Sequence, residues 1–219
     1  LGLDEENQPD LHNSRLDKWF EMLVSIFDLS VEKIESVELE VKEELLPSSD
    51  DSSELEKIDK KSSDDSSDIP LVIRKYSSSE KIGLFYGSTT GNSEEICDKI
   101  QETLGEDVID LLNVSDVDPN KILEYNHIII SCPTWNEGEL QEDWEEFLPK
   151  IAGLDLKGKI IVMFGLGDQD GYADNFLDAL GIIAEDLIKA GAEIKGEWPV
   201  DGYEFTKSLG LTPDGKHFY

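Results

Sequence analysis

The chain is short of positive charge: 19 Lys and Arg stand against 50 Asp and Glu in 219 residues, a formal net charge of −31. Nucleic acid and anionic membrane both demand basic surface, so neither is an expected partner, whereas a protein with a basic face is. Cysteine is nearly absent. Cys97 and Cys132 alone make neither a disulfide framework nor a metal cluster, and they fit a reducing compartment. No apolar run approaches the roughly 18 residues of a membrane span, and no signal-peptide pattern opens the chain. Hydrophobic residues still make up 38 % of the sequence. That is enough for a real core and excludes disorder throughout.

The acidity is not one tail, since residues 81–219 carry 28 acidic residues against 10 basic ones. The middle of the chain differs in kind. Residues 47–68 are mostly Ser, Asp, Glu and Lys, with SSDDSS at 48–53 and again at 62–67. Such a stretch buries too little apolar area to offset its ordering entropy. Residues 31–80 therefore read as an acidic, largely disordered linker. The repeated SSDDSS offers a site to acidic-directed kinases; a solvated spacer is the plainer reading. Ile34, Val37 and Val41 recur at helical spacing, while Val37, Leu39 and Val41 alternate like a strand, and both readings stay open.

Residues 81–219 alternate strand and helix patterns. Lys81–Tyr86, Val108–Leu111, His127–Cys132, Lys159–Phe164 and Glu193–Val200 read as strands. Ile96, Ile100 and Leu104 mark a helix face, and Phe176, Leu180, Ile183, Leu187 and Ile188 a second. This alternation predicts βαβ units and a parallel sheet covered on both faces. Residues 1–30 hold a helix without a home. Asn13 or Ser14 caps it, and Leu16, Trp19, Phe20, Leu23, Ile26 and Phe27 form one broad apolar face. That face needs a sheet, from residues 81–219 or from another chain.

Three loops follow consecutive strands. Gly87-Ser88-Thr89-Thr90-Gly91-Asn92-Ser93 lies between a buried strand and a helix. Convergent backbone N–H groups, hydroxyls and a helix N-terminus suit an anion. With no Lys or Arg the loop is not a nucleoside-triphosphate P-loop. It suits a phosphate monoester, though alone it reads equally as an ordinary Ser/Thr-rich turn. Pro133-Thr134-Trp135-Asn136-Glu137-Gly138 presents an aromatic plate and a peptide free to adopt φ > 0. Gly165-Leu166-Gly167-Asp168 leads through Tyr172 to Asn175, a glycine-rich loop with a second aromatic. Trp135 or Tyr172 by itself also reads as a core-closing residue. In an open parallel sheet all three loops fall on one rim, where ligands bind.

These motifs resemble those of flavodoxins. The family's T/S-x-T-G-x-T/S phosphate loop is matched by Ser88, Thr90, Gly91 and Ser93, its TWNxGELQ by Thr134–Gln141, and its GxGDQxGYADNF by Gly165–Phe176. The resemblance spans residues 81–219 and points to the long-chain branch, with its extra loop at about Asp201–Gly215. It implies an α/β, flavodoxin-like, doubly wound five-stranded parallel sheet of order 2-1-3-4-5 with flavin at the switch point; that topology comes with the resemblance and not from the residues. Long-chain members end in a strand reading roughly F-x-G-L-x-L-D-E-x-N-Q-x-D-L and a helix. Here Lys216–Tyr219 closes the chain and Leu1–Leu11 opens it, so joining end to start rebuilds that segment. The sequence is expected to be circularly rotated, a fragment of a tandem-flavodoxin parent, with an engineered permutation as runner-up. Residues 1–30 would then supply a half-strand and helix to 81–219, in the same chain or by exchange with a neighbour.

The resemblance implies non-covalent FMN. Ser88, Thr89, Thr90, Gly91, Asn92 and Ser93 would hold its phosphate, and Trp135 and Tyr172 would flank the ring. Asp168, with Gly165, Leu166 and Gly167, would meet the pyrimidine edge, with Asn175 in the same loop. Asn136, Glu137 and Gly138, next to Pro133 and Thr134, would face the flavin nitrogen that gains a proton, through a peptide flip beside Gly138. Glu6 is the expected contact to the ribityl chain. Carboxylates near fully reduced flavin disfavour its negative charge by roughly 2 kcal/mol each at ~8 Å and an effective dielectric of ~20. The implied function is low-potential one-electron transfer, by a carrier rather than an enzyme. The expected partners are basic-surfaced redox proteins, such as ferredoxin-NADP reductase-like flavoenzymes or photosystem and ferredoxin-dependent acceptors, in the cytoplasm or plastid stroma. A flavin-free interaction module and the FMN domain of a diflavin reductase are the alternatives.

Overall fold

The computed structural model describes residues 9–34 and 73–219, with side chains described for 17–31 and 75–219. Glu6, the half-strand expected before Pro9, the 37–41 pattern and the SSDDSS repeats lie outside the described residues, as does the side chain of Leu16. Leu1–Val31 together with Tyr76–Tyr219 forms one compact unit, and Glu32–Lys75 a second. Among the described residues no helix is long and apolar enough to cross a membrane.

Helix α1 runs Pro9–Ile26. It starts at a proline, whose fixed φ and missing N–H suit a first turn, so the expected caps Asn13 and Ser14 lie inside the helix. Strand β1 (Ser30–Ile34) pairs with β2 (Ile73–Ser77) in a separate two-stranded sheet, so both ends of the 31–80 segment carry strand where linker was expected.

The main sheet consists of β3 (Ile82–Tyr86), β4 (Ile109–Asn113), β5 (His127–Ser131), β6 (Ile160–Phe164) and β7 (Glu193–Lys195) in the order β4-β3-β5-β6-β7. All four pairings are parallel. Counted along the chain within this sheet, that is 2-1-3-4-5. Alternate residues of each strand feed two cores. Leu84, Tyr86, Ile129, Val162 and Phe164 meet α1 and α2 (Asn92–Leu104) on one face. Phe85, Ile128, Ile130, Ile161 and Met163 meet α3 (Glu142–Ile151) and α4 (Asp178–Lys189) on the other. The alternation is the period-2 geometry of strands, here apolar on both faces because both are covered.

Helix α1 is seated on the first of these faces. The Trp19 ring meets Phe164 edge-on at 5.6 Å, and Phe27 lies 5.1 Å from the His127 ring. Trp19, Phe20, Leu23 and Phe27 are buried, while Ile26 is only partly so.

Two expectations fail locally, and one helix has no counterpart among the expected elements. The strand expected over Glu193–Val200 breaks at Gly196, which has φ 84; only Glu193–Lys195 joins the sheet, and β8 (Trp198–Pro199) turns away to pair antiparallel with β9 (His217–Phe218). Ile188 is 46 % exposed, because the residue after Leu187 sits about 100° around the helix from the buried stripe. Helix α3 is the helix not expected, although Trp144, Phe147, Leu148 and Ile151 are its buried stripe. The acids in its first turn and Pro149 in its last masked that stripe.

Candidate functional site

Parallel strands deliver their following loops to one edge of the sheet, and β3, β5 and β6 are adjacent there. The loops after these three strands enclose a cleft of about 530 Å³. Ser88, Thr89, Thr90, Asn92 and Ser93 line it from the first loop; Pro133, Thr134, Trp135 and Asn136 from the second; Leu166, Gly167, Asp168, Tyr172, Asn175 and Phe176 from the third.

The first loop leads into α2 without a side-chain cap. Gly91 is the N-cap residue, at φ 89, and its N–H donates to Ser88 Oγ at 3.1 Å. No Lys or Arg lines the cleft among the described residues. An anion there would meet hydroxyls, amides and the positive end of the helix dipole. Gln141 fixes this loop from outside. It caps α3 by accepting from the Asp143 and Trp144 N–H groups, and its Nε2 donates to Thr89 Oγ1 at 3.2 Å.

The second loop turns sharply. Trp135 O accepts from the N–H groups of Gly138 at 3.0 Å and Glu139 at 2.8 Å, with Asn136 at φ 44 and Gly138 at φ 100. Asn136 Nδ2 donates to Glu139 Oε2. The Thr134 N–H donates to Leu166 O at 2.8 Å, which locks the second loop to the third. In the third loop Asp168 Oδ1 accepts from the Asp170 and Gly171 N–H groups at 2.9 and 2.8 Å, and Asp168 O accepts from the Tyr172 N–H at 3.1 Å. That carboxyl oxygen is therefore committed to its own loop. Tyr172 leaves 50 % of its surface exposed.

Four of the expected site residues stand off the cleft wall. Gly91 caps α2, and Glu137 points to solvent at the turn. Gly138 is buried behind the turn against Asp178, and Gly165 is buried against the Cys132 carbonyl. Phe176, expected on a helix face and as the end of the third motif, lies just before α4 and lines the cleft at 1 % exposure. Gln141 and Asp178 were given no role either. Both are polar and buried, at 2 % and 5 %, and the Gln closing the second motif was the available signal.

The titrating groups nearby do not make a nucleophile. Burial pushes the Cys132 thiol up to about 12, and burial likewise pushes Cys97 up to about 12. Burial, then the bond from its hydroxyl to Glu94 at 3.1 Å, holds Tyr86 at about 12. Among the described residues no group of three His, Cys, Asp or Glu side chains is placed to hold a metal ion.

The flavodoxin family profile matches residues 84–210, more than half of the chain and all three loops. The chain belongs to the flavodoxin family. Flavodoxin from Nostoc sp. is 46 % identical over 133 residues, covering 61 % of this chain and 78 % of that one. Flavodoxin from Synechocystis sp. is 49 % identical over 129 residues, covering 58 % and 76 %. Flavodoxin 2 of Escherichia coli is 42 % identical over 137 residues, covering 63 % and 79 %. Among solved structures, Fusobacterium nucleatum flavodoxin bound to flavin mononucleotide superposes with a TM-score of 0.59 at 27 % identity, over 63 % of this chain and 81 % of that one. The sheet order β4-β3-β5-β6-β7 and the parallel pairing agree with a flavodoxin fold.

Proposed function

We propose that this flavodoxin binds FMN in the cleft of the three loops and carries electrons one at a time between redox proteins. One observation carries the reading: an uncapped helix start rich in hydroxyls, a partly buried Trp135 and a half-exposed Tyr172 all border one cleft of about 530 Å³. The volume suits a small-molecule cofactor. The donor set suits a phosphate monoester, because it offers neutral donors and a helix dipole rather than cations. The exposed face of Tyr172 suits a planar ring.

FMN, when bound, supplies the one-electron redox chemistry. The chain's own residues do the rest. Ser88, Thr89, Thr90, Asn92 and Ser93 bind the phosphate. Trp135 and Tyr172 flank the ring and exclude water from its faces. The Asp168 loop meets the polar edge with its backbone, since Asp168 Oδ1 is occupied. The Asn136–Gly138 turn holds the proton-bearing edge. Glu6 remains the proposed ribityl contact, and residues 1–30 the closing part of the same fold.

Charge supports the choice of partner. Glu94, Glu95, Glu137, Glu139, Glu142, Asp143, Asp168, Asp170 and Asp174 all stand on the three loops or on the helix starts of that rim. Lys81, Lys121, Lys150, Lys157, Lys159 and Lys189 precede strands or end helices, and so lie at the opposite edge. The cleft is thus presented in a negative field to basic-surfaced partners, of which reductase-like flavoenzymes and ferredoxin-dependent acceptors are the proposed kinds.

The test is reconstitution. Apoprotein titrated with FMN is expected to quench flavin fluorescence stoichiometrically and to turn yellow, and dithionite is expected to bleach the bound flavin through two separable one-electron steps. Folded apoprotein that leaves FMN fluorescence unquenched at excess protein would reject the reading.

A further inference from the structure

One buried carboxyl group joins three segments that are remote in sequence. Asp178, in the first turn of α4, is 5 % exposed. Its Oδ1 accepts from the Leu209 N–H at 2.6 Å, and its Oδ2 accepts from Asn175 Nδ2 at 3.1 Å. The same Oδ2 faces Gly138: a Cβ added there would fall 2.6 Å from it and 3.2 Å from Asn175 Nδ2. Gly138 is therefore required twice, by its φ of 100 and by the carboxyl group behind it.

The Leu209 end of this bridge is also built. The backbone of Leu209 lies so close to α4 that a Cβ on Gly181 would fall 1.9 Å from Leu209 O. The Leu209 side chain is 60 % exposed, so at this residue the backbone rather than the side chain makes the tie to α4. A second cleft, of about 580 Å³, opens between Asp174 and Leu211, and Asn175 lines both it and the candidate FMN site. The bridge thus runs from the site's turn, through Asp178, to the loop over residues 201–215.

We propose that Asp178 is a positioning residue: it holds the Asn136–Gly138 turn in its present conformation and couples that turn to the 201–215 loop, so that both set the potential at which the cofactor takes its first electron. This rests on the FMN reading for its redox part. The physical reason is simple. A turn that meets the ring edge enters the redox equilibrium with whatever energy it costs to rearrange. A carboxyl group packed against Gly138 raises that cost, and the Leu209 N–H holds the carboxyl group in place.

Potentiometric titration of the FMN-loaded protein tests it, with Asp178→Asn and Leu209→Pro compared to wild type. Leu209→Pro removes one N–H from a residue outside the cofactor cleft and leaves the carboxyl group intact, so it decides alone if Asp178→Asn does not fold. Asp178→Asn is expected to raise the equilibrium constant of the first one-electron step at least threefold, about 28 mV at 59 mV per tenfold for one electron. Leu209→Pro is expected to move it the same way, at least twofold. In the apoproteins, NMR amide exchange at Gly138 and Glu139 is expected to quicken at least fivefold while the β5 amides stay unchanged. Unaltered potentials in a folded, FMN-loaded variant overturn the proposal and leave FMN binding standing. A wild-type protein that takes no FMN ends the functional reading and the redox part together. The exchange data then decide the clamp: faster exchange at Gly138 upholds it, and unchanged exchange removes it.

Discussion

Tyr172 leaves half its surface in solvent while Phe176, four residues on, is fully buried. The same loop thus offers one aromatic to a ligand and one to the core. Trp135 stands on the neighbouring loop, in a turn set by Asn136 and Gly138. Replacing Trp135 by Ala removes a ring contact of about 1 kcal/mol and leaves the turn's backbone bonds in place. The FMN dissociation constant is expected to rise roughly fivefold, read by fluorescence titration; an unchanged constant would remove Trp135 from the site. Cys132 makes a different prediction. Its folded value of about 12 lies above the ordinary 9.0, so the stabilisation is full below pH 9 and is lost as pH rises towards 12. Cys132→Ala is therefore expected to narrow the gap between melting temperatures at pH 8 and pH 10.5, measured by circular dichroism. Residue identity was legible wherever the chemistry was local, as in the hydroxyl-rich Ser88–Ser93 loop. It was not legible for Asp178, whose partner Leu209 is 31 residues away.

Elements show the same division. The stripe Trp19, Phe20, Leu23 and Phe27 is visible in the sequence at helical spacing, and the sheet face that covers it is supplied by Leu84, Val162 and Phe164. Trp19 is 2 % exposed, and Trp19→Ala leaves a large cavity between α1 and β6. The expected loss is about 3–5 kcal/mol of unfolding free energy, measured by urea denaturation; a loss below ~1 kcal/mol would mean that α1 is not seated on this sheet in solution. The strand expected over Glu193–Val200 is cut where Gly196 takes a left-handed φ of 84, and Trp198–Pro199 beyond it pairs in a different sheet. Its partner strand His217–Phe218 pairs across a loop that propensity alone does not read.

Positive charge is unevenly placed over the whole molecule. In a parallel α/β layer, helix N-termini and the loops after strands share one edge. Lysines gather before strands and at helix ends, whereas acids stand at both edges, Glu106, Asp107 and Asp155 at the lysine edge among them, so only the cleft rim is acidic without lysines interspersed at its helix starts. Glu142, Asp143 and Glu145 open α3 and Lys150 closes it; Asp178 opens α4 and Lys189 closes it. The lysine edge is further muted by ion pairs such as Lys81–Asp110 at 2.7 Å and Lys121–Glu124 at 2.6 Å, both partly exposed and each of little stabilising value. Electron transfer to a basic partner is expected to slow at least tenfold between roughly 10 and 300 mM salt, as screening shortens the field from about 30 Å to below 8 Å. Stopped-flow rates independent of salt would reject the acidic rim as the docking face.

The linear order of residues determined the layer architecture and the three loops, because helical and strand periodicities and short polar motifs are written within a few residues of one another. Tertiary structure alone decided which of those residues meet. It turned Gly138 towards Asp178, set the Leu209 backbone against Gly181, and gave Phe176 to the cleft floor. These contacts depend on close approach between segments tens of residues apart, and no local pattern encodes such a distance.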